Sequence, residues 1–303
     1  MPSDPAAADA VPPALRNAVL AWYDATGRTL AFRATRDPYA VLVSELMAQQ
    51  TQAARAAEAW TAWMARFPTV EALAAAPVAD VLRTWAGLGY NRRAVHLHRA
   101  AMAIVADLGG VVPGTVEGLV SLPGVGPYTA RAVAAIAFGL PVGAVDTNVR
   151  RVLGRVVGGG PEALSAGDLQ TLADAVVPAD RAGDWTHALM DVGARLCRPR
   201  RPLCAVCPAI AWCRYAAGER AAAVAAPARR SPEPAFPTTT RWLRGRILAR
   251  ARDAADGAWI PFGAAIGEHG PHAVREAVAA LASEGLLEAR QAPDGPEARL
   301  PQG

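Results

Sequence analysis

The chain has 303 residues, 52% of them hydrophobic, and a mean hydropathy of +0.14, which is enough to bury a large core in one sizeable or two modest domains. No apolar run reaches the ~18 residues of a membrane span, and Met1 to Pro13 lacks the basic start and apolar centre of a secretion signal, so a soluble cytoplasmic protein is expected. A net charge of +4 and a pI near 9.2 lean mildly toward nucleic acid, while all 31 Lys+Arg residues are arginine, which excludes Schiff-base chemistry on any lysine side chain.

After an Ala/Pro-rich stretch over 1–13, expected to be disordered, Ala14 to Ala25 has helical spacing, with Leu15, Val19, Trp22 and Tyr23 on the inner face and Gly27 as its stop. Leu30 to Tyr39 reads as an irregular link. Ala40 to Gln50 reads as a helix that places Glu45 among Val41, Leu42, Leu46 and Met47. From the helical period alone Glu45 falls on the polar side; buried among those neighbours instead, it would have a raised pKa and stay a proton donor near neutrality. Helices are expected at Ala53 to Phe67, Val70 to Ala75 and Val78 to Ala86, with Trp60, Trp63 and Trp85 in the core. Another follows the turn GLGYNRRA, from Asn91 to Leu108; its His96 and His98 lack metal-ligand partners and read as structural.

Thr115 to Ser121 and Thr129 to Phe138 read as helices flanking Leu122-Pro123-Gly124-Val125-Gly126. The two glycines permit positive φ and close backbone approach, so that successive N–H groups can point at a phosphate; the same residues also serve as a plain turn between packing helices. Asp146 follows the break Gly139-Leu140-Pro141 and precedes the amphipathic run Thr147 to Val157, which makes it an expected N-cap. Further helices are expected at Ala163 to Val177 and Trp185 to Leu196.

The only cysteines are Cys197, Cys204, Cys207 and Cys213, spaced C-x6-C-x2-C-x5-C. Four thiols so close together in a cytosolic setting argue for metal rather than disulfides, and a single close pair, where structural zinc uses two, favours a [4Fe–4S] cluster. Beyond the alanine-rich Ala216 to Ala228, the Pro-rich segment 229–240 reads as a linker. Residues 241–303 then suggest helices at Arg241 to Arg252 and His272 to Glu284, and a hairpin of Leu286 to Gln291 with Ala298 to Pro301 across Asp294-Gly295, an order that suggests a small winged-helix-like domain.

Four motifs in this order resemble the helix-hairpin-helix DNA glycosylases, the superfamily of endonuclease III, and within it the MutY family of adenine glycosylases. They are SELMAQQTQ, GLGYNRRA, LPGVGPYTA followed by VDTNVRRVL, and the cysteine spacing; the resemblance covers roughly Leu15 to Tyr215. It implies a mainly α, two-lobed fold over 14–228 with an iron-sulfur cluster loop at 197–213, before the small C-terminal domain 241–303. It also implies Glu45 as general acid, Asp146 facing the flipped nucleotide, Asn148 holding the aspartate and sugar, and Tyr128 beside the sugar. The lyase branch has lysine at the position of Tyr128, so a monofunctional enzyme is implied. Gln50 and Tyr90 match residues that fill the duplex beside an extruded base. Gly124 and Gly126 match the phosphate-gripping hairpin, Arg198, Arg200 and Arg201 stand where relatives contact phosphates, and all four cysteines match cluster ligands.

The departures lie around the base pocket and in the tail. Phe32 and Arg33 occupy the place of a Trp-Arg pair, His187 stands where relatives carry Gln or Glu, and Asn91 replaces a second tyrosine. Many MutY proteins carry a large C-terminal domain resembling 8-oxo-nucleotide hydrolases, for which 241–303 is too short. Recognition of the opposite base is therefore expected to rest more on Tyr90, on Gln50 and on the small tail, the tail acting mainly through phosphate contacts from Arg241, Arg244 and Arg246 and Tyr90 sensing the opposite base directly. The implied partner is double-stranded DNA with adenine opposite 8-oxoguanine or guanine, bound by a monomer in the cytoplasm at the nucleoid, with no membrane. The alternatives are an endonuclease III-like glycosylase/lyase acting on oxidised pyrimidines and a catalytically silent DNA-structure binder.

Overall fold

The computed structural model describes residues 11–218 and 235–302. Of the stretch 1–13 expected to be disordered, residues 1–10 lie outside the described residues, but Val11 is 0% exposed in the core and a helix starts at Pro13, so its end is ordered. Of the expected linker 229–240, residues 229–234 lie outside the described residues, while Phe236–Thr238 form a 3-10 turn and a helix starts at Thr240. In chain order the elements are α1 (Pro13–Thr26), a 3-10 turn (Ala31–Ala34), α2 (Pro38–Ala48), α3 (Ala53–Arg66), α4 (Val70–Ala74), α5 (Val78–Thr84), α6 (Arg92–Leu108), α7 (Val116–Val120), α8 (Pro127–Ala137), α9 (Thr147–Gly158) and α10 (Ala166–Ala175). Then come α11 (Ala182–Asp191), which runs into a π turn (Val192–Leu196), α12 (Arg214–Ala217), α13 (Thr240–Asp253), β1 (Ile260–Pro261), α14 (Pro271–Ser283), β2 (Glu288–Ala292) and β3 (Gly295–Arg299). The mainly helical architecture expected from the sequence is the one observed.

Short polar side chains start many of these helices by satisfying amides that have no intrahelical acceptor. Thr69 and Thr115 accept from Ala72 N and Gly118 N, so the similar segments TVEAL and TVEGL begin two short helices in the same way. Ser165 caps α10, which delays it past the expected start at Ala163. α8 begins at Pro127, two residues earlier than expected, because a proline in the first turn lacks only a donor that has no partner there.

The chain divides into two compact units, the first holding the described residues of Met1–Glu45, Val112–Ser121 and Val125–Ala228. There α11 packs on both α1 and α8, and Leu15, Val19, Leu153, Leu172, Trp185 and Leu189 form one core. The second unit holds the described residues of Leu46–Val111, Leu122–Gly124 and Arg229–Gly303. Its centre is an aromatic stack in which Trp63 meets Phe67 edge-on at 4.9 Å and Trp85 at 5.5 Å. Truncating Trp63 or Trp85 to alanine would cost ~3–5 kcal/mol. Trp60, expected in the core, is only partly buried. His98 is buried and bonds to Ala76 O at 3.0 Å, in keeping with a structural role.

The C-terminal elements belong to this second unit: α13 packs on α14, and a three-stranded antiparallel sheet has the order β1-β3-β2. The hairpin pairs Ala292 with Gly295 and Glu288 with Arg299. α13 also meets α5, Ala79 N donates to Pro301 O at 3.1 Å, and Arg83 pairs with Asp256 at 2.6 Å.

Candidate active site

In the first unit, α2 presents Glu45 from a buried face. Leu42, Leu46 and Met47 surround it in sequence and are each 1% exposed or less, and Glu45 itself is only 7% exposed. The polar-side reading of Glu45 from the helical period is therefore corrected: tertiary packing covers every side of this apolar helix. Burial pushes the Glu45 carboxyl up to about 7, a hydrogen bond from Tyr128 pulls the other way, and the negative charge of Asp146 pushes it further up. Tyr128, in the first turn of α8, donates from its hydroxyl to Glu45 Oε2 at 3.2 Å. Burial, together with the Glu45 charge, holds the Tyr128 phenol well above its ordinary range, so it remains a donor.

Asp146 caps α9, as the sequence suggests: its Oδ1 accepts from Val149 N at 2.7 Å. Its Oδ2 accepts from Asn148 Nδ2 at 2.8 Å. Arg151, one turn on, donates to Asn148 Oδ1 at 2.8 Å, to Gly193 O at 2.8 Å and to Cys197 O at 2.6 Å. A Cβ on Gly193 would stand 3.0 Å from Asn148 Cα, so only glycine lets the π turn approach this closely. Arg151 lies one turn beyond Asn148 on the same helix and also reaches Thr147 O at 3.3 Å, but its two shorter carbonyl bonds go to residues more than forty positions away, so its role is not legible locally.

Beside these groups, Phe32 and Arg33 come from the 3-10 turn that the sequence reads as an irregular link. Arg33 is buried and forks onto Asp191, with Nη1 to Oδ2 at 3.0 Å and Nη2 to Oδ1 at 2.8 Å. Arg28 adds its Nε at 2.7 Å and its backbone N–H at 2.9 Å to the same carboxylate. Arg33 is thus held by an ion pair. Burial alone would raise Asp191, but the hydrogen bonds from Arg33 and Arg28 outweigh it and hold the carboxyl at about 2. His187, on α11, is 5% exposed and lies 6.4 Å from the Tyr23 ring. Burial and the Arg33 and Arg36 charges lower its pKa to about 3, which keeps the imidazole neutral.

The hairpin glycines differ from one another. Gly124 has φ +76, and a Cβ there would strike the His96 ring at 2.7 Å, so both conformation and space require glycine. Gly126 is the N-cap of α8 with φ −86, and a Cβ there would meet nothing within 4 Å. The expectation of positive φ at both positions is thereby corrected: Gly126 is extended backbone with open space above it.

In the second unit, Gln50 and Tyr90 are the non-glycine residues with positive φ among the described residues, at 51° and 44°. Backbone strain of this kind persists where surroundings over-determine it. Arg93 does so here: buried at 8% exposure, its guanidinium donates to Leu46 O at 2.7 Å, Gln49 O at 2.5 Å, Leu88 O at 3.2 Å and Gly89 O at 3.1 Å. One side chain therefore ties the Gln50 turn to the Tyr90 turn, and no local pattern announces it.

The four cysteines are free of disulfides and line one small cavity, walled also by Val152, Val156, Leu196 and Tyr215. No group of three or more ligating side chains among the described residues is arranged to hold a metal ion. Burial pushes the Cys207 thiol up to about 11 and raises that of Cys213. Arg155 on α9 braces this loop, donating to Arg198 O and Pro199 O at 2.8 Å each and to Cys197 Sγ at 3.3 Å. Arg198, Arg200 and Arg201 are exposed on it.

Comparison with known proteins accords with this geometry. Residues 43–174 match the HhH-GPD superfamily of base excision DNA repair proteins. The adenine DNA glycosylase of Mycolicibacterium smegmatis is 43% identical over 239 residues, covering 78% of this chain and 80% of that protein. That of Mycobacterium tuberculosis is 44% identical over 240 residues, with 78% of each chain covered. The solved structure of a thermostable thymine-DNA glycosylase superposes with a TM-score of 0.63 at 32% identity, over 67% of this chain and 94% of that one. With a relative this similar along most of its length, the chain belongs to the adenine DNA glycosylase family of the helix-hairpin-helix base excision repair superfamily.

Proposed function

We propose that this protein is a monofunctional DNA glycosylase that removes adenine mispaired with 8-oxoguanine or guanine. The observation that carries the reading is a buried carboxyl, Glu45, raised to about 7, bonded to Tyr128 and lying within the field of Asp146. Two carboxylates with different surroundings can divide an acid role from an electrostatic one.

A base inside a duplex is out of reach, so the nucleotide is flipped out while Gln50 and Tyr90 occupy the gap. The amides of the Gly124–Gly126 turn grip a backbone phosphate, and Arg198, Arg200 and Arg201 contact others. Phe32 and the neutral His187 border the base, His187 offering one donor and one acceptor to the purine edge. Arg33, fixed by Asp191, supplies a positive wall. Protonated Glu45 donates to a purine ring nitrogen, the glycosidic bond breaks, and the pair of electrons leaves with adenine. Asp146, held by Val149 N and Asn148, stabilises the cationic sugar until water adds at C1′ and loses one proton to solvent, leaving the neutral abasic sugar. Cys197, Cys204, Cys207 and Cys213 would hold a [4Fe–4S] cluster, which would cross-link the loop that carries the basic residues. No redox step enters base release.

Similarity to the structure of a trapped endonuclease III–DNA covalent intermediate, at 25% identity and a TM-score of 0.58, raises an endonuclease III-like lyase as a second reading. The lyase route needs an amine that attacks C1′, and Tyr128 and the absence of lysine argue against it. The partner is duplex DNA; no helix among the described residues is long and apolar enough to cross a membrane, and the enzyme acts as a monomer at the nucleoid. The deciding test incubates the protein with duplexes containing adenine opposite 8-oxoguanine, a thymine glycol, or no lesion, with and without alkali. Cleavage of only the adenine strand, and only after alkali, is expected. Cleavage at thymine glycol without alkali supports the lyase, and no cleavage of any duplex supports a silent binder.

A further inference from the structure

The wedge residue Tyr90 shares a groove with the C-terminal helix α13. The groove has a volume of about 850 Å³ and is lined in part by Gln49, Gln50, Tyr90, Phe236, Arg241 and Arg244. Its two α13 arginines differ in what they are free to do. Arg244 pairs with Glu284 at 2.7 Å. Arg241 is exposed, has no carboxylate partner among the described residues, and lays its guanidinium over the Tyr90 ring, 4.8 Å from the centroid.

Helix stability does not account for an arginine at this position. α13 is capped by Thr239, so Arg241 sits in the first turn, which contains no acidic residue. A cation there opposes the helix dipole. Nor does a phosphate contact need a stacking partner, since charge alone suffices. Stacking on a tyrosine instead fixes the guanidinium plane and leaves its donor fork along the edge. Such a fork matches the O6 and N7 edge of guanine. Phe236, 60% exposed beside it, adds a flat apolar wall suited to a base.

We propose that Arg241 is a specificity-determining residue, oriented by Tyr90, that reads the base opposite the excised adenine through its O6 oxygen. The inference rests on the adenine glycosylase reading above. Guanine and 8-oxoguanine share O6, whereas oxidation turns N7 into a donor, so O6 is the acceptor common to both partners of adenine. The C-terminal segment thus reads the opposite base directly, where the sequence suggests that it acts mainly through phosphate contacts.

The test compares adenine release under single-turnover conditions opposite guanine, which has O6, and opposite 2-aminopurine, which lacks it. Wild type favours guanine, and Arg241→Ala lowers the guanine to 2-aminopurine rate ratio by about tenfold or more. Arg246→Ala, on the same helix but outside the groove, keeps the wild-type ratio, and melting temperatures confirm that both variants fold. If Arg241→Ala slows both duplexes equally, or weakens binding in a way that added salt reproduces, the residue is a phosphate contact and the inference is overturned. A wild type that releases adenine from neither of these duplexes nor from one with adenine opposite 8-oxoguanine overturns the functional reading itself, and the inference with it; one active only opposite 8-oxoguanine overturns the inference alone.

Discussion

Tyr128→Phe removes one hydrogen bond from the Glu45 carboxylate and leaves the ring in place. That bond, 3.2 Å long, favours the ionised form of Glu45, so its loss moves the carboxyl upward from about 7. Bonds to charged acceptors are worth ~1.5–3 kcal/mol, and the length of this one puts it at the low end. At ~1.4 kcal/mol per pKa unit, the shift is about one unit. On the proposal that protonated Glu45 is the reactive form, the alkaline limb of the rate profile moves from about pH 7 to about pH 8. At pH ~8 the variant then keeps about half of its own plateau rate, where wild type keeps about a tenth. Single-turnover rates of adenine release from about pH 5 to about pH 9 measure this directly. A limb that stays put or moves down refutes the assignment of Glu45 as the acid and Tyr128 as the group that tunes it.

Purified protein is expected to be brown, with broad absorbance at about 400 nm; Cys204→Ser loses the colour or the soluble fold, and colourless active protein containing one zinc contradicts the cluster. Borohydride is expected not to trap the enzyme on DNA, because no lysine is present; trapping at the rate of base release contradicts this. Asp191→Asn leaves Arg33 buried without its counter-charge, at a cost of ~3–5 kcal/mol in urea unfolding. Asp191 also confers a pH signature. Its carboxyl sits at about 2 against an ordinary 3.8, so ~2 kcal/mol of stability is present above pH 3.8 and is lost as pH falls toward 2, a loss the variant does not show.

What could be read from the chain was local. Asp146 caps α9 as its neighbours suggest, because capping depends on residues three positions away. The C-terminal helices lie within a residue of their expected bounds, because apolar periodicity and Thr239 mark them. What could not be read is set by distant partners. Glu45 looks like a polar-face residue until packing buries it, and Arg33 is held by Asp191, 158 residues away. Arg93 needs four carbonyls from two separate turns before its purpose shows. Gly126 was indistinguishable from Gly124 by residue type, since only φ and the space above each separate them.

The most direct measurement is the single-turnover release of free adenine from a duplex with adenine opposite 8-oxoguanine, by wild type, Glu45→Gln and Asp146→Asn. Wild type releases adenine and leaves the strand intact until alkali is added. Each variant still binds the mispair but releases base slower by about a thousandfold or more, the loss of several kcal/mol at ~1.4 kcal/mol per tenfold. Release by either variant within about tenfold of wild type would contradict a mechanism built on two carboxylates.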